Sequence, residues 1–130
     1  MSPLRISYRE LSRQLVPGEH GIEVRITSEF AIDLGGESLY ADDMFPVAEF
    51  AMASQVWAAQ PDEPFHFGDL AFLPDGGLWS VADHRLNLDV LLGGLDLFYV
   101  QLREGLQTAY GFDLEALFQR GDRIPRGKLQ

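Results

Sequence analysis

The clearest pattern of apolar and polar positions runs from residue 22 to residue 34. Ile22, Val24, Ile26, Ser28, Phe30, Ile32 and Leu34 alternate with Glu23, Arg25, Thr27, Glu29, Ala31 and Asp33. A period of two predicts a β-strand with one face in a core and the other in water. The run is long for one strand, so a bend near Ser28 is expected. Gly35-Gly36 then reads as a two-residue hairpin turn into a strand over 37–41.

The period changes at Pro46. Val47, Phe50, Ala51, Ser54, Trp57 and Ala58 fall on one stripe, which predicts a helix over 46–60. Asp42 and Asp43 just precede it, where negative charge favours the helix dipole. Pro46 suits a first turn, and Pro61 ends the helix. Short strands follow over 70–73 and 78–83, flanking the turn chemistry of Pro74-Asp75-Gly76-Gly77. Residues 85–92 alternate again, with Leu86, Leu88, Val90 and Leu92 inward, and read as a strand ending at Gly93-Gly94. A second helical stripe of Leu95, Phe98, Tyr99, Leu102, Leu106 and Ala109 stops near Gly111, and a short helical turn is expected over 114–118.

At the N-terminus Leu4, Ile6 and Tyr8 alternate like a strand over 4–9. Ser7-Tyr8-Arg9-Glu10 ahead of Leu11 and Leu15 also fits a capping box, so a short helix is the alternative. The order of elements predicts an α+β fold: a mainly antiparallel sheet of about five to six strands with two main helices on one side. Residues 1–119 read as one domain. Residues 120–130 read as a basic tail carrying Arg120, Arg123, Arg126 and Lys128.

Charge changes the picture more than composition does. The net charge is −10, and between Ile26 and His84 there is no Lys or Arg at all. The same window holds Glu29, Asp33, Glu37, Asp42, Asp43, Glu49, Asp62, Glu63, Asp69, Asp75 and Asp83. Such a field repels phosphate and anionic lipid headgroups, so neither nucleic acid nor a membrane surface is an expected partner. No apolar run approaches the roughly eighteen residues of a membrane span, and the N-terminus lacks a signal-type apolar segment. The absence of cysteine excludes disulfides and thiolate chemistry, and it fits a cytoplasmic location.

Catalytic patterns are weak. Glu29 and Asp33 share a strand face but stand about 13 Å apart at strand rise, too far for a glycosidase pair. His20, His66 and His84 show no metal-ligand spacing. Ser80, Asp83 and His84 cannot form a local relay, because successive strand residues face opposite ways. The acids match no EF-hand loop, and the glycine doublets match no phosphate cradle. No catalytic residue, metal or cofactor is assigned, and the chain reads as a non-enzyme. Phe65 and Phe67, beside Pro61-Asp62-Glu63-Pro64, have the composition of a recognition patch in which rings anchor and carboxylates steer.

The reading that follows is an acidic interaction domain for a basic protein partner. Glu29, Asp33, Glu37, Asp42, Asp43, Asp62, Glu63, Phe65 and Phe67 are its expected contact residues. Size, acidity and the α+β pattern resemble bacterial immunity proteins, which bind and block a cognate toxin. The stretch from Leu39-Tyr40-Ala41-Asp42-Asp43 through Met44-Phe45-Pro46-Val47-Ala48-Glu49-Phe50-Ala51, with Trp57, is similar in style to small actinobacterial proteins. The resemblance implies neutralisation of a toxin and carries over no functional residue. The alternative is a small enzyme or ligand-binding domain whose pocket gathers His66 or His84 with two carboxylates.

Overall fold

The computed structural model describes residues 4–18, 21–111 and Leu114. The tail over 120–130 and most of the turn expected over 114–118 lie outside the described residues. Three strands open the chain: β1 (Leu4–Gly18), β2 (Gly21–Leu34) and β3 (Glu37–Phe45). They pair antiparallel in the order β1-β2-β3. Helix α1 (Val47–Ala58) follows, then β4 (Phe65–Phe67), β5 (Leu70–Asp75), β6 (Leu78–Val81) and β7 (His84–Leu86). These four form a separate antiparallel meander, and helix α2 (Leu88–Tyr110) completes the described fold.

The class is α+β, as expected, but the strands form two sheets rather than one of five to six strands. The break falls where α1 separates β3 from β4, and Phe50 on α1 is the reason the parts cohere. Its fully buried ring meets Phe30 and Phe45 of the first sheet, Phe65 and Phe67 of the second, and Phe98 of α2. Leu4, Ile6, Phe30 and Ile32 supply the buried face of the first sheet, and Phe72, Trp79 and Val81 that of the second. Trp57 bridges α1 to the meander through edge contact with Trp79, ring centroids 5.1 Å apart.

β1 runs well beyond the strand expected over 4–9, and no helix forms there. Between Arg9 and Ser12 the register shifts, so Glu10 and Leu11 stand opposite Ser28 alone. Glu10 has φ +59°, the left-handed conformation that opens such a bulge. The bulge in β1 falls opposite Ser28, the residue near which a bend of the 22–34 strand was expected.

The strand expected over 85–92 is corrected. Only His84–Leu86 is a strand, and α2 begins at Leu88 with Asn87 as its N-cap. Leu88, Val90 and Leu92 alternate, but Asp89 occupies the first helical turn, where it complements the dipole. Gly93 and Gly94 lie inside the helix rather than at a strand end. Gly94 is buried because β1 passes close by: a Cβ there would stand 2.7 Å from Cδ2 of Leu4.

Two-residue glycine turns join β2 to β3 and β5 to β6. Gly35-Gly36 and Gly76-Gly77 both have positive φ at each position, the pattern of a type I′ turn. Pro74 and Asp75, expected in the second turn, are instead the end of β5. Pro74 pairs with Trp79 on one side only, because β4 reaches no further than Phe72 along β5, so its missing N–H costs no ladder bond.

Candidate functional site

The face of the first sheet turned away from the helices carries its own pattern. Register sets Ser7 beside Ala31 and Ala31 beside Ala41, a row of small residues crossing all three strands. On one flank Arg9 faces Glu29, and on the other Arg5 faces Asp33. The small row leaves a shallow depression of about 290 Å³, lined by Ser7, Tyr8, Arg9, Glu29, Phe30, Ala31, Ala41, Asp42 and Asp43. Arg9 Nη2 donates to Glu29 Oε1 at 2.7 Å across its rim.

Of the residues expected to bind a partner, the depression gathers Glu29, Asp42 and Asp43. Asp33 stands beyond the small row on the same strand, opposite Arg5 and Ser38. Asp42 and Asp43 are not at the helix start as expected. They are exposed positions of β3, and Asp42 Oδ1 accepts the backbone N–H of Met44 at 3.2 Å. The acid in the first turn of α1 is Glu49. Asp62 and Glu63 lie exposed in the α1–β4 connection, where the Glu63 carbonyl accepts Trp57 Nε1–H at 2.6 Å.

Phe65 and Phe67 are corrected. Phe65 is 7 % exposed and stacks on Phe72 with centroids 5.0 Å apart, and Phe67 packs on Phe45 and Phe50. Their rings belong to the core, so the acidic loop before them has no aromatic anchors from this pair. The loop resembles a recognition patch in sequence because a short buried strand follows it directly.

A second polar cluster joins the two sheets. Tyr40 on β3 donates its hydroxyl to Asp69 Oδ1 at 2.9 Å. Burial, followed by the Asp69 hydrogen bond and the charges of Asp69 and Asp42, pushes the Tyr40 phenol up to about 12. Nearby, His84 on β7 sits between the Ala82 carbonyl, 3.0 Å from Nδ1, and Glu37 Oε2, 3.1 Å from Nε2. Both neighbours accept hydrogen bonds only, so the imidazolium with two N–H groups satisfies both. The Ala82 carbonyl, and after it Glu37, raise His84 above its ordinary value. His84 thus meets a single carboxylate in an ion pair, and His66 is an exposed position of β4. Neither histidine lines this depression. Among the described residues no three His, Asp or Glu side chains converge as metal ligands.

Sequence reasoning missed the arginines. Arg9 lies outside the cation-free window, yet the hairpin lays it against Glu29. Drawing β1 in register against β2 would have found it, since Arg5, Ser7 and Arg9 alternate with the core residues of β1. The outcome of comparison with known proteins is brief. No protein-family model, curated protein or solved structure matches the chain. Among the described residues no helix is long and apolar enough to cross a membrane.

Proposed function

We propose that the chain is an acidic protein-binding domain that receives a basic protein partner on the open face and β3 edge of its first sheet. The observation that carries this reading is the contrast between Glu29 and its neighbours. Glu29 is matched by Arg9, whereas no described ion pair engages Asp42 or Asp43 at the same depression. Two exposed carboxylates on a strand edge, within a chain of net charge −10, are the complement of a Lys- and Arg-rich surface. Glu37 is committed to His84, and Asp62 and Glu63 extend the acidic surface on the α1–β4 connection.

The specific form of this reading is an immunity-type protein that occludes a cognate basic toxin. Its test is co-expression with the basic protein encoded beside the gene, followed by association kinetics at low and high salt. The expected result is a stable complex whose on-rate falls steeply with salt and falls about tenfold in the Asp42→Lys, Asp43→Lys double variant. A complex whose on-rate ignores both salt and the double variant overturns the docking face. Failure of the neighbouring protein to bind at all overturns the immunity-type form.

A further inference from the structure

The outer face of β1 and β2 is charge-balanced, although the chain as a whole carries −10. Register sets Arg5 opposite Asp33, Ser7 opposite Ala31 and Arg9 opposite Glu29. Both arginines stand on β1, both acids on β2, and the pair between them is small. Arg5 and Arg9 are exposed, and Ser7, Glu29, Ala31 and Asp33 are part-exposed. The residues that alternate with them, Leu4, Ile6, Phe30 and Ile32, are buried in the core. Arg9 and Glu29 pair within the chain, whereas no described ion pair engages Arg5 or Asp33.

This two-column pattern is its own complement. A second copy can be laid face to face on it, with a two-fold axis running along the strands between β1 and β2. β1 of each copy then lies over β2 of the other. Arg9 meets the second copy's Glu29 and Arg5 meets its Asp33, and symmetry repeats both pairs. An axis turned across the strands, along the Ser7–Ala31 row, sets Arg5 over Arg9 and Glu29 over Asp33. That arrangement stacks like charge on like and is disfavoured. Charge thus separates the two ways of stacking this face on itself.

The sizes of the side chains agree. Stacked sheets sit about 10 Å apart, and arginines reaching from both sides bridge that gap while Ser7 and Ala31 leave the centre clear. A guanidinium carries five N–H donors, so Arg9 can hold the second copy's Glu29 and keep its own. We propose that a second copy of this chain docks on this face, stacking β1 and β2 on their symmetry mates as an aligned sandwich. β3 lies outside the overlap in both copies, so Asp42 and Asp43 stay open. The contact does not rest on the basic partner, and each reading can fail without the other.

The test is sedimentation of the full chain over a concentration series, with three variants. The wild-type chain is expected to pass from monomer to a species of twice its mass. The Arg5→Glu, Arg9→Glu double variant makes the face wholly acidic and is expected to stay monomeric. The Glu29→Arg, Asp33→Arg double variant makes it wholly basic and is expected to do the same. Mixing the two is expected to give a dimer containing one of each, because all four contacts become attractive again. Ala31→Lys leaves the four charges in place but fills the small row. It is expected to weaken self-association about tenfold or more with unchanged circular dichroism. A wild-type chain that stays monomeric throughout overturns the proposal. So does a dimer that ignores the variants, or a mixture of the two folded charge variants that stays monomeric. If a charge variant fails to fold, Ala31→Lys decides.

Discussion

The hydroxyl of Tyr8 occupies the space that a side chain on Gly105 would need. Tyr8 reaches there from β1, donates to the Gln101 carbonyl at 3.1 Å and sets its ring edge-on to Phe98. Gly94 makes the same allowance for Leu4 about three helical turns earlier. α2 therefore tolerates glycine in its interior because β1 lies against it.

Gly93 provides the contrast, since a Cβ there meets nothing within 4 Å. Gly93→Ala is expected to stabilise the protein by about 0.5–1 kcal/mol through helix propensity alone. Gly105→Ala gains the same propensity but displaces Tyr8 and its hydrogen bond, for a net loss of about 1–2 kcal/mol. Urea unfolding of the two variants checks the opposite signs. Equal effects would remove the close approach as the explanation.

The β6–β7 turn is built from residues that resist it. Ala82 has φ +50° and Asp83 φ +70°, where a Cβ is disfavoured. Replacing the pair by Ala82→Asn and Asp83→Gly is expected to raise stability by about 1 kcal/mol. Thermal unfolding measures it, and the backbone carbonyl of residue 82 remains available to His84.

His84 gives a pH dependence with a definite sign. Its folded value lies above the ordinary 6.5, so the stabilisation from its link to Glu37 is complete below 6.5 and disappears as pH rises through the folded value. His84→Ala is therefore expected to cost more stability in mild acid than in alkali. An NMR titration of the His84 ring should move downward in Glu37→Gln while staying above its ordinary value, because the Ala82 carbonyl remains. A titration indifferent to Glu37→Gln would dissolve the link between the sheets.

Tyr40 extends the same reasoning to alkaline solution. With its phenol pushed up to about 12 from an ordinary 10.0, the stability tied to the neutral form is intact below pH 10.0 and drains away as pH approaches 12. Ultraviolet titration is expected to find one late-ionising tyrosine whose midpoint falls in Asp69→Asn.

β2 and α1 were legible because their inward periods run unbroken, from Ile26 to Ile32 and from Val47 to Ser54, with only Ser28 and Ser54 polar among them. β1 was legible only over 4–9, and the bulge explains why its continuation to Gly18 was not. By inserting one residue it carries the inward positions from Tyr8 to Leu11, a step of three that imitates a helix. The start of α2 was obscured by Leu86, Leu88, Val90 and Leu92, whose alternation continues from a strand into a helix without a break.

The acidic surface was legible only as a count. Glu29 looked free because its partner Arg9 lies 20 residues away in sequence, and Glu37 because His84 lies 47 away. A gap in cations along the chain is not a gap in space once strands pair. The two-sheet division depended on Phe50 and the rings around it, and periodicity assigns a residue to a core without saying which sheets share it.

The anchoring of β1 also sets an order of events. Tyr8 bonds to Gln101 across 93 residues, and Tyr110 donates to the Leu11 carbonyl at 3.1 Å across 99. The first described strand is held by the last described helix. Loop closure over that distance places its fastening late in folding. A chain interrupted between β3 and α2 would carry its three opening strands with one long flank still waiting for its cover.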